Sequence, residues 1–470
     1  MRLSNHSYGA IAGWYHPAGT NWYWFGFPEI GAQDPRFGNY TTNSSTFDTL
    51  ALNAPAYLQV WAAGNDQGET PPTQPTNHFE ITLGGVVFRT NVVRAADGDA
   101  GGFDTLSQQA SAKNVLTVGA VNPLLEGYTG PTNLVQGFFS STGPTDDGRI
   151  KPDVVGDGVN NIVVGSSSDF AYARSSGTSL AAPSVTGSIN LLTQFYGQQH
   201  TNAAELLSST TKGLVIHTAD SGTTNNGPSY RFGWGLVNTR NAATLISRDA
   251  TNGLKNQIKE VLLLPGEFVQ FPLVSAGTNA LKVTICWTDP AGIPNTVTNL
   301  NNPAPKLVND LDLRISSPTE TTNLPWVLTP DLTNRTYTAR SAIASTGDDT
   351  RNNVEQIYIP SPTNGTYTVK VTHKGTLSGG LQWVSILVSG NVPQAAPSLV
   401  FNQIIQITTN SIALGWPAVV GQQYQLQGNI DLITTNWVNL GGLISARLTN
   451  VVSQISMTNN INYYRLIQAP

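Results

Sequence analysis

Three short apolar runs limit the architecture of this chain more than any other feature. They are YLQVWAAGN (57–65), NVLTVGAVN (114–122) and NNIVVGSS (160–167), each ending in Gly, Asn or Ser. Runs this short and this continuously apolar are too brief for helices and read as strands covered on both faces, with C-terminal ends that feed loops. Helical spacing stands beside them. In SLAAPSVTGSINLLTQFYGQ (179–198), Ala181, Ala182, Val185, Ile189, Leu192 and Tyr196 recur at intervals of three or four. Pro183 is expected in the first turn of that helix, where a missing N–H costs little. Strands alternating with helices predict an α/β layer structure with a parallel sheet over residues 1–247.

From about residue 253 the texture changes. GEFVQFPLVS, ALKVTICWTD, VNDLDLRISSP, VEQIYIPSP, GTYTVKVTHKG and LQWVSILVSG follow one another with polar turns and no helical pattern between them. This spacing predicts a β-sandwich or jelly roll over 253–390. NVPQAAPS (391–398) reads as a linker, and 399–470 as a small fibronectin III-like β domain. Several domains are what a chain of 470 residues requires, because one hydrophobic core does not grow that large.

Composition closes some doors. A formal net charge of −5 offers no basic face to nucleic acid. No run of 18 apolar residues is present to span a bilayer. The lone cysteine, Cys286, lies inside a strand-like run, so no disulfide forms within the chain and a buried small hydrophobe is expected. The first residues show no basic segment followed by an apolar one, so no signal peptide is visible.

The chemistry-bearing motifs lie in the first half: SNHSYG (4–9), AAGN (62–65), FSSTGPTDDGRIKPDVV (139–155) and SGTSLAAP (176–183). A serine opening a helix is ordinarily an N-cap, and Ser179 taken alone would be read so. In this order, however, the four motifs resemble the subtilisin-like serine peptidases, and GTSLAAP departs by one residue from that family's Gly-Thr-Ser-Met-Ala-Ala-Pro. The likeness continues through LVIHTADSG and YRFGWGLVN. It implies that Ser179 is the nucleophile, that Ser179 N–H and the Asn65 carboxamide form an oxyanion hole, and that Ser7, Tyr8 and Gly9 line the substrate peptide. Ala63 and Gly64 would wall the primary specificity pocket. It also implies a polypeptide substrate and an extracellular location. A helix N-terminus suits this role, since its unpaired N–H groups and dipole favour developing negative charge.

A serine needs a base, and the base needs an orienting group. The family's Asp-Ser/Thr-Gly and His-Gly-Thr motifs precede the SYG strand, which here begins near residue 4, and none of His6, His16, His78, His200, His217 and His373 is followed by Gly. Asp220-Ser221-Gly222, beside His217, is a literal match in the wrong place, after the serine; Asp48 reads as structural. The expectation is a subtilisin-class endopeptidase, N-terminally truncated and inactive as given, with an open strand edge where upstream strands would pair. The alternative is a non-catalytic binding or scaffold protein.

WTDPAG, LVNDLDL and GDDTRNNVE resemble the C-terminal β-barrel of some alkaline subtilases, which can hold calcium. By that resemblance Asp289, Asp310, Asp312, Asp348, Asp349, Asn352 and Glu355 are candidate Ca²⁺ ligands, calcium being a cation that takes six to eight oxygens. Solvated acidic turns are the plainer reading of the same residues.

Overall fold

The computed structural model describes residues 2–469 except 18–20, 68, 70–72, 74–75, 202, 329–335, 395, 432–434, 458–460 and 462. Along the first half come β1 (Leu3–His6), β2 (Trp14–Tyr15), β3 (Tyr23–Trp24), α1 (Thr42–Asn53), β4 (Leu58–Ala62), β5 (His78–Ile81) and β6 (Val87–Thr90). They are followed by β7 (Leu116–Val121), β8 (Val154–Asp157), β9 (Asn161–Val164), β10 (Tyr172–Ser175), α2 (Thr178–Gln199), α3 (Ser208–Thr218) and α4 (Thr239–Thr251).

The central sheet is parallel, in the order β1-β4-β7-β8. Every residue of β4 and β7 is buried, as two continuous apolar runs require. The third run corrects the expectation. β9 pairs antiparallel with β10 in an exposed hairpin, where Ile162 and Val164 are 66% and 80% exposed. The fourth parallel strand is β8, which begins at the end of the KPDVV segment. Short apolar runs do not announce which of them has a sheet to join. Among the described residues β1 forms the outer strand, paired with β4, Leu3 opposite Leu58 and His6 opposite Trp61.

α2 lays Ala181, Ala182, Val185 and Ile189 against this sheet, while Leu192 packs with Leu214 of α3 and Leu245 of α4. Pro183 is its sixth residue and not part of the first turn, so the carbonyl of Ser179, four residues back, has no helical N–H to accept. A mixed sheet of order β2-β3-β5-β6, which the sequence did not announce, flanks this layer. Its core is Trp14, Trp24 and the buried pair His78 and Glu80, with Arg94 donating to both Glu80 oxygens and stacked over Trp24.

The C-terminal half is mostly sheet, as its alternating pattern predicts. Its strands are β11 (Ile258–Leu263), β12 (Val269–Ala276), β13 (Leu281–Cys286), β14 (Leu311–Ser316), β15 (Thr322–Asn323), β16 (Trp326–Val327), β17 (Ser345–Thr346), β18 (Val354–Ile359), β19 (Asn364–His373) and β20 (Gln382–Ser389). Sheets β11-β20-β13-β18 and β12-β19-β14-β15 share one apolar cluster, to which both contribute alternate residues such as Val283, Ile285, Leu313 and Val369. Beyond residues 391–398, of which 395 lies outside the described residues, Ile412, Leu414 and Trp416 pack with Tyr424 and Leu426 in a separate small core.

The two halves are joined by buried contacts. α3 lies buried, but for Thr211, between the α/β layer and sheet β11-β20-β13-β18. Gly213 permits this approach: a β-carbon there would stand 2.8 Å from Leu387 Cδ2 and 3.1 Å from Cys286 Cβ. Cys286 is fully buried, as expected of a small core hydrophobe. Lys113 reaches across from the loop before β7 and donates to Asp289 Oδ2 (2.6 Å), Pro290 O (2.6 Å) and Lys306 O (2.7 Å). Asp48, buried on α1, accepts from Tyr40 Oη (2.7 Å) and Asn114 N (2.8 Å), the structural role expected of it.

Candidate functional site

The C-terminal ends of β1 and β4 and the N-terminus of α2 converge. Asn65 Oδ1 accepts Thr178 N–H at 2.9 Å and stands 3.0 Å from Thr178 Oγ1. Because the carboxamide oxygen is committed to these donors, its NH₂ is the end that remains free to donate outward. A β-carbon on Gly177 would lie 3.5 Å from Asn65 Nδ2 and 3.6 Å from Ser179 N, so carboxamide and serine share one small volume. The backbone at Gly64 has φ +119°, and a β-carbon there would come within 2.7 Å of Ser141 Oγ. Glycine is therefore required for the turn that presents Asn65.

Ser179 is half-buried, and its hydroxyl donates to Ser7 O at 3.3 Å. Ser7 answers with its own hydroxyl, which donates to Ser179 O at 2.8 Å. This is the carbonyl that Pro183 leaves without a helical partner, so a residue named for substrate contact also completes the turn carrying the serine. The sequence held that signal in the four-residue spacing of Ser179 and Pro183. Thr178, buried, is a further site residue that the motif reading passed over, since it fixes the orientation of Asn65.

The remaining expected residues are placed as follows. Tyr8 is exposed, its hydroxyl 2.8 Å from His6 Nδ1 and its ring edge-on to Trp61. Gly9 is exposed beside Ser107, which a β-carbon would meet at 3.5 Å. Ala63 is fully buried, with its carbonyl taken by Ser107 N–H. Gly64 is thus the more accessible part of any pocket wall here.

The histidines are engaged elsewhere. His6 stacks on Trp61 at 4.3 Å and contacts Ser4 Oγ, on the face of β1 opposite to Ser7. Burial lowers its pKa. His16 stacks on Trp22, His78 meets Glu80, His200 meets Asp249, and His373 accepts from Gly266 N. His217 is buried in α3 between Thr284 Oγ1 and Ser389 Oγ.

Carboxyls crowd behind the Asn65 turn. Asp66 accepts from Ser141 Oγ, and burial, with Glu69 and Asp34 adding to it, raises its pKa to about 7. Burial raises Glu69 to about 7. Asp97 is pushed up to about 9 by burial, against the Trp14 N–H that it accepts and with Asp66, Glu69 and Asp34 adding to the rise.

The seven candidate calcium ligands do not fit one calcium site. Asp289 is occupied by Lys113 and by the N–H groups of Val308 (2.9 Å) and Asn309 (2.7 Å). Asp310, Asp312 and Asp348 do converge, but on Lys374 Nζ, at 3.2, 3.1 and 2.9 Å, with Arg314 bridging the latter two. Asp349 closes a turn on Arg351 N and Asn352 N, Asn352 Oδ1 accepts from Ile150 N, and Glu355 Oε2 accepts from Leu313 N. Among the described residues no group of three or more acidic, histidine or cysteine side chains is arranged to hold a metal. At Asp289, and where Asp310, Asp312 and Asp348 meet, the protein's own cations take the carboxylates.

Parts of this chain are similar to known proteins. The family model of the subtilase family matches residues 1–235. The serine protease/ABC transporter B family protein tagA of Dictyostelium discoideum is 26% identical over 274 residues, 51% of this chain and 14% of that protein. The C5a peptidase of Streptococcus pyogenes serotype M3 is 37% identical over 97 residues, 21% of this chain and 8% of its own length. The chain thus spans only a small part of these curated relatives. Among solved structures, the serine protease of Aeromonas sobria shares 13% identity at a TM-score of 0.32, over 82% of this chain and 71% of that one. The patellamide maturation protease PatA shares 19% at 0.32, over 52% and 62%. No helix among the described residues is long and apolar enough to cross a membrane.

Proposed function

Because the chain belongs to the subtilase family of serine peptidases, we propose that Ser179 is the nucleophile of a peptide-bond hydrolase acting on polypeptides, with Ser179 N–H and Asn65 Nδ2 as its oxyanion donors. The observation that carries this reading is the oriented Asn65 carboxamide beside the serine at the head of α2. In acylation Ser179 Oγ adds to the peptide carbonyl carbon as its proton passes to a supplied base, the oxyanion is held by the two donors, and the C–N bond breaks as that base returns the proton to the departing amine. Water then hydrolyses the ester. Ser7, Tyr8 and Gly9 continue the outer strand β1 and offer main chain to an extended substrate, while Gly64 lines the adjoining subsite.

Proton transfer sets the limit. The six histidines are engaged away from Ser179 Oγ, whose partner is a carbonyl. Among the described residues no histidine hydrogen-bonds to Ser179 Oγ, and on that ground we read the isolated chain as inactive until an imidazole is supplied. The test is rescue. The purified chain should not cleave casein, whereas added imidazole should produce turnover of a p-nitrophenyl ester that disappears in Ser179→Ala. Asn65→Ala should lower the rescued rate roughly 10²–10³-fold. Ser179-dependent casein hydrolysis without imidazole would refute the inactive reading; rescued turnover that survives in Ser179→Ala would refute the nucleophile.

For the rest of the chain we read three domains, 1–247, 253–390 and 399–470, the second a jelly-roll sandwich and the third fibronectin III-like. The separate apolar clusters of the two β parts support the division. An extracellular location rests on the family resemblance.

A further inference from the structure

The stretch His217–Ser221, which carries most of a false match to a catalytic motif, lines a second site. The C-terminal end of α3, the following loop, one face of α4 and strands β13, β18 and β20 enclose a cavity of about 420 Å³. It lies between the α/β layer and the first β part, among elements distinct from those that carry Ser179. Its charged wall is unequal. Lys282 and Arg248 are its cations and Asp220 is its acid. Asp220 is occupied by amides, accepting from Asn238 Nδ2 at 2.9 Å and Asn241 Nδ2 at 3.4 Å. His217 has both ring nitrogens engaged, and burial holds its pKa well below the ordinary value, so it contributes no charge.

Lys282 is the group that asks for an occupant. Its ammonium donates to His217 O at 3.1 Å and lies 5.6 Å from the centre of the Tyr358 ring. An ammonium has three donors, and one neutral carbonyl with an aromatic face leaves it under-solvated. Burial accordingly draws its pKa down to about 8, against the pull of Asp220. Arg248, on the exposed side of α4, forms no ion pair among the described residues. Two cations facing a half-open polar cavity, with the single carboxylate already bound to amides, favour an acceptor-rich anion that bridges them.

We propose that this cavity binds an oxyanion, the phosphate or carboxylate group of a small molecule, between Lys282 and Arg248. The shared chemistry is a compact anionic acceptor, and the two sources are separable by experiment. The full chain is titrated calorimetrically with inorganic phosphate, with N-acetyltyrosine and with N-acetyltyrosine amide. Saturable binding of phosphate or of the carboxylate is expected, with no binding of the amide, and whichever anion binds identifies the source. Lys282→Met and Arg248→Met should each weaken that binding about tenfold, a loss of about 1.4 kcal/mol. Arg248 is exposed, so its variant keeps the fold even where the lysine variant does not. Ser179→Ala should bind as the parent does. Absence of saturable binding of both anions, binding of the amide as tight as that of the acid, or unchanged binding in Arg248→Met would each overturn the proposal.

Discussion

Replacing Lys113 by methionine isolates the contact that ties the α/β layer to the β part behind it. Both Lys113 and its partner Asp289 have side chains with 0% exposure, so the substitution leaves a carboxylate in the interior without its cation. Breaking such a pair from one side costs roughly 3–5 kcal/mol. Two features of the structure adjust that figure in opposite directions. Asp289 keeps the N–H groups of Val308 and Asn309, which continue to hold its charge. The carbonyls of Pro290 and Lys306 meanwhile each lose a short bond from Nζ, at about 1 kcal/mol apiece. A loss of about 4 kcal/mol is expected in urea unfolding followed by tryptophan fluorescence. Burial already raises the Asp289 pKa even with Lys113 present. Without the lysine it rises further, so the penalty is full at neutral pH and shrinks as acid protonates the carboxyl. Lys113→Met/Asp289→Asn should recover part of the loss at pH 7, because the amide carries no charge to strand. A cost below about 1 kcal/mol, or a double variant no better than the single one, would refute the account of the clasp.

Three further outcomes follow from the same geometry. Ser7→Ala should cost about 0.5–1.5 kcal/mol by stranding the Ser179 carbonyl, and Pro183→Ala, which restores a helical donor to it, should cut that cost; equal costs in both backgrounds would mean that the hydroxyl does not serve the carbonyl. Asp97 has its pKa raised to about 9 in the fold, so its favourable protonated state is fully present below the unfolded carboxyl range and is lost as pH rises from about 4 to 9. The stability of Asp97→Asn relative to the parent should therefore climb between pH 5 and pH 9, with a slope of at most about 1.4 kcal/mol per pH unit, and a flat difference in urea midpoints would dismiss the shift. A chelator should leave the melting temperature unchanged, since Lys374 occupies the meeting point of Asp310, Asp312 and Asp348; a clear drop would restore the calcium reading.

Much of the architecture could be read from the chain because burial on both faces and on one face leave different residue patterns. β4 and β7 are continuous apolar runs and β12 alternates, and each was legible for that reason. β9 misled because Ile162-Val163-Val164 has the composition of a buried strand while its only sheet partner is an exposed hairpin neighbour. The flanking sheet of β2, β3, β5 and β6 was invisible because strands of two to four residues carry no period. The acidic residues failed as ligands for a similar reason: side-chain spacing places Asp310 and Asp312 on one face of a strand, but cannot show that Lys374 arrives there from β19's far end.

The site divides along the same line. Motif order brings Ser179 and Asn65 together on paper, and the fold brings them together in space through Thr178, which no spacing rule singled out. What favours the proposed role of this pair is that its parts are costly for a fold that needed only a capped helix. Gly64 adopts a backbone that other residues resist, Pro183 removes a helical hydrogen bond one turn after the serine, and Ser7 is spent repairing it. An N-cap serine would require none of these. The same logic extends to the cavity at Lys282, where a partly desolvated ammonium with one carbonyl partner is kept beside the misplaced Asp-Ser-Gly match. On the proposed readings both places hold donors ready for charge that arrives from outside, at the head of α2 for an oxyanion that lasts only through a reaction step, and between Lys282 and Arg248 for one that stays.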